Sequence, residues 1–215
     1  MNRDSILEAA RAYVQGQLAG DSSGHDWWHI YRVTELVRRI AAAEGADPFV
    51  CELAALLHDI ADEKLNPSAE AGVDKVRAWL AAHAVPAAEK DHVLEIIGTM
   101  SFKGGQNPPV RTPEARVVQD ADRLDAIGAQ GIARVFAYAG WKGHLVHDPA
   151  QAPRTELTAA SYRSGKNTAI NHFYEKLLKL KDLMNTPTAR QLAEDRHRFM
   201  ETYLEQFYRE WEGSR

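Results

Sequence analysis

From Pro48 to Ala61 the chain reads Pro-Phe-Val-Cys-Glu-Leu-Ala-Ala-Leu-Leu-His-Asp-Ile-Ala. Wound into a helix, this run is apolar nearly all round, and such a helix has to be enclosed by others. It predicts a central, buried helix that the rest of the chain packs against. The preceding Gly45-Ala46-Asp47-Pro48 is a stop and a restart, with Asp47 as N-cap and Pro48 at the first helical position. His58 and Asp59 interrupt the apolar run. Burying a carboxylate without a partner costs on the order of several kcal/mol, and a cation is a partner that also takes an imidazole. The two residues therefore read as adjacent ligands of one metal ion. The competing reading is a helix end where the apolar stripe stops and solvent begins, and the pair alone leaves both open.

Helical periodicity continues along the chain. Ser5 to Leu18 carries Ile6, Ala9, Ala10, Tyr13, Val14 and Leu18 as one stripe, broken by Gly20-Asp21-Ser22-Ser23-Gly24. A second helix is expected from about Trp27 to Glu44, with Ile30, Val33, Leu36, Val37 and Ile40 on one face. The third runs from Pro48 to about Ala61. Further helices are expected from Asn66-Pro67-Ser68 to about His83, from Pro86 to near Gly98, from Pro113 through Ile127, and on to about Tyr138. Residues 140–158 look irregular, and two long helices, about 159–183 and 188–212, follow. No alternating strand pattern is found. The fold class is all-α: a single domain with a core at about residues 20–130 and a C-terminal helical pair, at about 159–212, wrapping it.

Composition narrows the function classes. A net charge of −4 advertises no basic face for nucleic acid. The single cysteine, Cys51, permits no disulfide within the chain and reads as a small buried core residue. No apolar run is long enough to cross a bilayer, and the amphipathic N-terminus lacks the apolar core of a signal peptide. A cytoplasmic protein, acting as a monomer or homodimer with no nucleic-acid or membrane partner, is expected.

Two more stretches carry chemistry. His29 lies in Gly24-His25-Asp26-Trp27-Trp28-His29 at the start of the second helix. Helices joined by a short turn pack antiparallel, so the start of the second comes near the end of the third, beside His58-Asp59. Alone, a histidine there would cap a helix or sit satisfied in a core. The acidic run Gln119-Asp120-Ala121-Asp122-Arg123-Leu124-Asp125 is interleaved with Val117, Val118, Ala121, Leu124 and Ile127. Asp122 lies one turn from Val118 and from Ala126 and can point inward, whereas Asp120 and Asp125 cannot both share its face. Two imidazoles and two carboxylates make a mixed N/O set with open positions, suited to Mn²⁺, Fe²⁺, Co²⁺ or Ni²⁺. The lack of thiolates argues against structural zinc.

The ordered set His29 … His58-Asp59 … Asp122 resembles the H…HD…D signature of the HD-domain metal-dependent phosphohydrolases, in particular the small stand-alone bacterial members. Similar stretches are His25-Asp26-Trp27-Trp28-His29 with Arg32-Val33, Leu57-His58-Asp59-Ile60, Ser101-Phe102-Lys103-Gly104, and Val118 through Ala129. The resemblance implies an all-α HD bundle. It further implies that His29, His58, Asp59 and Asp122 hold one divalent ion, Mn²⁺ first, with Mg²⁺, Co²⁺, Ni²⁺ or Fe²⁺ as substitutes. The implied reaction is hydrolysis of a phosphate ester or anhydride, the substrate a phosphorylated small molecule such as a nucleoside triphosphate. Branches of this superfamily with a metal pair supply extra histidines between the HD pair and the last aspartate. Here only His83 and His92 lie there, and Met100 stands where some relatives carry histidine, which favours a mononuclear site.

Around the metal, Asp62 is the candidate general base beside Asp59, three residues away on the same helical edge. Its other reading is a solvated helix-end acid. Lys103 is the first candidate for phosphate, its neighbours Gly104-Gly105 letting backbone amides approach an anion. Arg123, Ser101 and Lys64 are further substrate contacts, and His25 a leaving-group acid or a residue that orients a ligand. Two competing functions are a di-iron oxygenase on the same fold and a non-catalytic metal-binding helical module.

Overall fold

Helix caps punctuate the chain much as its local chemistry dictates. The computed structural model describes residues 2–20, 26–62, 65–100, 109–154 and 167–214. Among the described residues there are helices and no strand. Two compact units form, residues 1–121 and 122–215.

The first unit contains α1 (Arg3–Gln17), α2 (Trp27–Glu44), α3 (Pro48–Leu57), a 3₁₀ turn (His58–Ala61), α4 (Ala69–Ala82) and α5 (Ala87–Met100). α6 (Pro113–Asp125) begins in it. Asp26 caps α2, its Oδ1 accepting from the His29 backbone N–H at 2.9 Å. Gly45 ends α2 at φ +70°, where a residue with a Cβ would be strained. Asp47 then caps α3 through the N–H groups of Phe49 and Val50, and Pro48 takes the first helical position. α3 is central, as its all-round apolarity requires: every residue from Phe49 to Leu57 is buried, and α1, α2 and α5 all pack on it.

One of those buried residues is charged. Glu52 accepts from Arg38 Nε at 2.9 Å, from Arg38 Nη2 at 2.6 Å, and from Arg11 Nη2. A single carboxylate thus ties α1, α2 and α3 together. Burial pushes its pKa up, but the hydrogen bonds from the two arginines outweigh that and hold it below the ordinary glutamate value.

α3 ends earlier than its periodicity suggests. The α-helix stops at Leu57, and His58 to Ala61 tighten into 3₁₀ geometry, with the Asp62 N–H donating to the Asp59 carbonyl at 3.0 Å. The Ile60 carbonyl, within the turn, accepts from the Asn66 side chain.

The second unit contains α7 (Gly128–Lys142), α8 (Ala169–Glu175), two 3₁₀ turns (Leu177–Lys179 and Lys181–Leu183) and α9 (Pro187–Trp211). α9 packs along α7, with Phe136, Phe173 and Tyr203 in mutual ring contact. Thr186 caps α9 and Pro187 starts it, close to the expected 188–212. The helix expected over 159–183 is corrected in its described part. Thr168 is extended and caps a short α8, which ends at Glu175, and two 3₁₀ turns replace the remainder. Leu177 and Leu180, three apart, are the buried side of that stretch, which is the period of a 3₁₀ turn. Glu175, wholly buried, is held by Arg154 and by Asn167 Nδ2.

Candidate metal centre

Two helix ends meet at the centre of the first unit. His29 sits in the first turn of α2, its backbone N–H fixed by the Asp26 cap. His58 and Asp59 sit in the 3₁₀ turn that finishes α3. The short Gly45–Asp47 connection makes α2 and α3 an antiparallel hairpin and brings these ends together. The ligating atoms of His29, His58 and Asp59 all lie within 4.8 Å of one another, and all three residues are buried. Asp59 Oδ1 is 3.2 Å from His58 Nε2, and Asp59 Oδ2 is 3.5 Å from His29 Nε2. The two imidazole rings lie edge to face, 5.4 Å apart.

The hydrogen bond on the far side of His58 makes this arrangement informative. His58 Nδ1 is 2.8 Å from the Ala55 carbonyl. A carbonyl only accepts, so Nδ1 carries the proton. In the neutral ring, Nε2 then presents a lone pair toward a carboxylate oxygen, and two lone pairs at 3.2 Å repel unless a cation lies against both. A backbone carbonyl on the outer ring nitrogen is the usual way a metal-binding histidine is oriented. Two imidazole nitrogens and a carboxylate suit a first-row divalent ion. The residues present fit such an ion.

The other candidates fall into three groups. Asp62 follows the 3₁₀ turn directly, half-buried, its N–H tied back to the Asp59 carbonyl. Asp122 is half-buried on α6, at the first position of the second unit. Its neighbours Asp120 and Asp125 are buried, so this acidic run is not a solvated face. Asp125 pairs with Arg134 at 2.8 Å, and Arg123 donates to the Leu183 carbonyl. His25, Lys64, Ser101 and Lys103 lie outside the described residues.

His83 and His92 stand apart from the cluster. His83 stacks on Trp79 and bonds its carbonyl, while His92 bonds Thr112 Oγ1 at 2.8 Å. Met100 is buried at the end of α5. Trp28, beside His29, is 61 % exposed. Two contributions to the centre have little or no signal in the sequence. The Ala55 carbonyl that sets the His58 tautomer has none. Asn66, which reads as a helix start, instead turns its side chain back onto the ligand turn, and its only signal is a side-chain amide just past that turn.

The family model described as HD domain matches residues 27–127, the span that carries α2, α3 and the ligand turn. A solved structure from Lactobacillus plantarum is 44 % identical, with a TM-score of 0.87 over 97 % of this chain and 98 % of that one. An HD-superfamily hydrolase from Bacillus thuringiensis is 48 % identical, with a TM-score of 0.78 over 98 % and 99 % of the two chains. YpgQ of Bacillus subtilis, solved in complex with ADP, is 42 % identical, with a TM-score of 0.76 over 95 % and 97 %. The chain belongs to the HD domain family, and its fold is that of the HD-superfamily hydrolases.

Proposed function

We propose that this HD-family member is a divalent-metal-dependent phosphohydrolase that cleaves a phosphate anhydride or ester of a nucleotide, as a nucleoside triphosphate pyrophosphohydrolase or a nucleotidase. The observation that carries the reading is the buried His29, His58 and Asp59 cluster, with the His58 tautomer set from behind. The ADP complex of YpgQ supports a nucleotide as the substrate class. In this reading Asp122 joins the three as fourth ligand, and Mn²⁺ is the working ion. When bound, the ion would lower the pKa of a water and polarise a phosphoryl oxygen.

The chain's own groups do the rest. Asp59 orients the centre between two imidazoles. Asp62 takes the proton of the attacking water, as a carboxylate beside the nucleophile does in general base catalysis. Lys103, Arg123 and Lys64 neutralise phosphate oxygens, Ser101 donates a hydrogen bond to one, and His25 orients a ligand.

The test is a panel of nucleoside triphosphates, diphosphates and simple phosphate esters, assayed with Mn²⁺, Mg²⁺, Co²⁺ and Ni²⁺. Native protein is compared with Asp59→Ala and Asp122→Ala, each checked for folding by circular dichroism. Metal-dependent release of pyrophosphate or phosphate by the native protein, lost in both variants, is expected. Undiminished hydrolysis by both variants would defeat the assignment.

A further inference from the structure

The 3₁₀ turn that carries His58 and Asp59 is gripped from outside by one side-chain amide. Asn66 Nδ2 donates to the Ile60 carbonyl at 2.8 Å and to the Asp62 carbonyl at 2.8 Å. Between these two lies Ala61, whose carbonyl oxygen Gly72 of α4 approaches closely, its own N–H being given to the Ser68 carbonyl. A Cβ built at Gly72 would stand 2.3 Å from that oxygen and 2.9 Å from Asn66 Nδ2. The Asp59 carbonyl is engaged within the turn by the Asp62 N–H at 3.0 Å. The carbonyls of Asp59, Ile60 and Asp62 thus each accept a hydrogen bond. Asn66 supplies two of those bonds from one side-chain amide, and the missing Cβ of Gly72 leaves space beside the Ala61 carbonyl.

A 3₁₀ turn has poor hydrogen-bond geometry of its own and does not hold a fixed shape unaided. Asp59 lies in this turn and Asp62 directly follows it, so the aim of both carboxylates depends on what holds the backbone there. An amide bonded to the carbonyl just after Asp59 and to that of Asp62 itself fixes their relative position. From this we infer that Asn66 is a positioning residue of the metal centre, with Gly72 as the clearance that lets α4 close on the ligand turn. The inference rests on the metal reading of His29, His58 and Asp59. Partners one step removed from the ligands typically change metal affinity by about 10- to 100-fold when lost.

The experiment is calorimetric titration of Mn²⁺ into chelator-treated full-length protein: native, Asn66→Ala, Gly72→Ala and, as a destabilised control, Asn2→Ala, which removes only the cap of α1. Melting temperatures are measured with and without Mn²⁺. Native and Asn2→Ala are expected to bind alike, with the same rise in melting temperature on adding metal. Asn66→Ala is expected to bind at least about 10-fold more weakly and to lose most of that rise. Gly72→Ala, which pushes the same turn from the opposite side, is expected to do likewise, so the inference stays testable if Asn66→Ala does not fold. Native-like affinity in either variant with only a lowered melting temperature would make the role merely structural and overturn the inference. No binding by the native protein would instead overturn the metal reading, and this inference with it.

Discussion

Glu52→Gln provides a sharp test of how the first unit is held together. The substitution keeps the size of the side chain and removes its charge. It also leaves an NH₂ group facing a guanidinium donor where a carboxylate oxygen had been. Three N–H···O bonds from two arginines converge on Glu52, and each charge-assisted bond contributes about 1.5–3 kcal/mol. Breaking a fully buried pair costs about 3–5 kcal/mol. Here the arginine side chains are 37 % and 39 % exposed, so water recovers part of their solvation. The expected loss is therefore about 2–3 kcal/mol, below the buried-pair figure. For a chain of this size that is a fall of roughly 5–10 °C in melting temperature, at about 2–4 °C per kcal/mol. The pH dependence has a definite sign. The pKa of Glu52 is lower folded than unfolded, so its contribution is complete above the unfolded value of about 4.3. It is lost as pH falls through the depressed folded value. Urea unfolding of native and variant protein should show the full gap at pH 7 and a closing gap in acid. A gap under about 0.5 kcal/mol at pH 7, the ordinary range for a surface substitution, would refute the reasoning. So would a gap that stays constant into acid.

Three other outcomes are expected. Burial, then Lys176 and Arg154, push the His172 imidazole down to about 3. The unfolded chain therefore takes the proton first, stability declines from about pH 6.5 toward that lower value, and His172→Gln should flatten the decline in acid melts. A Cβ at Gly131 would stand 2.2 Å from the Ala126 carbonyl, so Gly131→Ala should destabilise by about 1–3 kcal/mol, the overpacking range, read as a lower melting temperature. Chelator-treated protein should melt below the Mn²⁺-loaded form. At 100-fold excess over Kd the difference is about 2.7 kcal/mol, and Asp59→Ala should show none.

The elements with strong local chemistry were legible in the sequence. Gly45, Asp47 and Pro48 mark the end of α2 and the start of α3 because caps and left-handed stops depend on one or two residues. The burial of α3 follows from its apolarity, and the meeting of His29 with His58-Asp59 follows from the hairpin. Features fixed by contacts distant from the local pattern were not legible. The 3₁₀ turn that finishes α3 is held by a side-chain amide reaching back from Asn66, which leaves no periodic trace. The long helix expected before residue 183 gives way in its described part to α8 and two turns, because Thr168 caps late and the leucine spacing serves a 3₁₀ turn as well as an α-helix. Periodicity also said nothing of which ring nitrogen His58 protonates, since that depends on one backbone carbonyl.

Cys51 is the chain's only thiol, lies wholly inaccessible on α3, and has its pKa pushed up to about 12 by burial and then by Glu114 and Asp47. A thiol so placed is inert toward alkylating reagents while the helix is closed, because neither contact nor thiolate is available. The molecule therefore carries its own clock. The rate at which an alkylating label enters Cys51 counts how often the central helix opens, with no added probe.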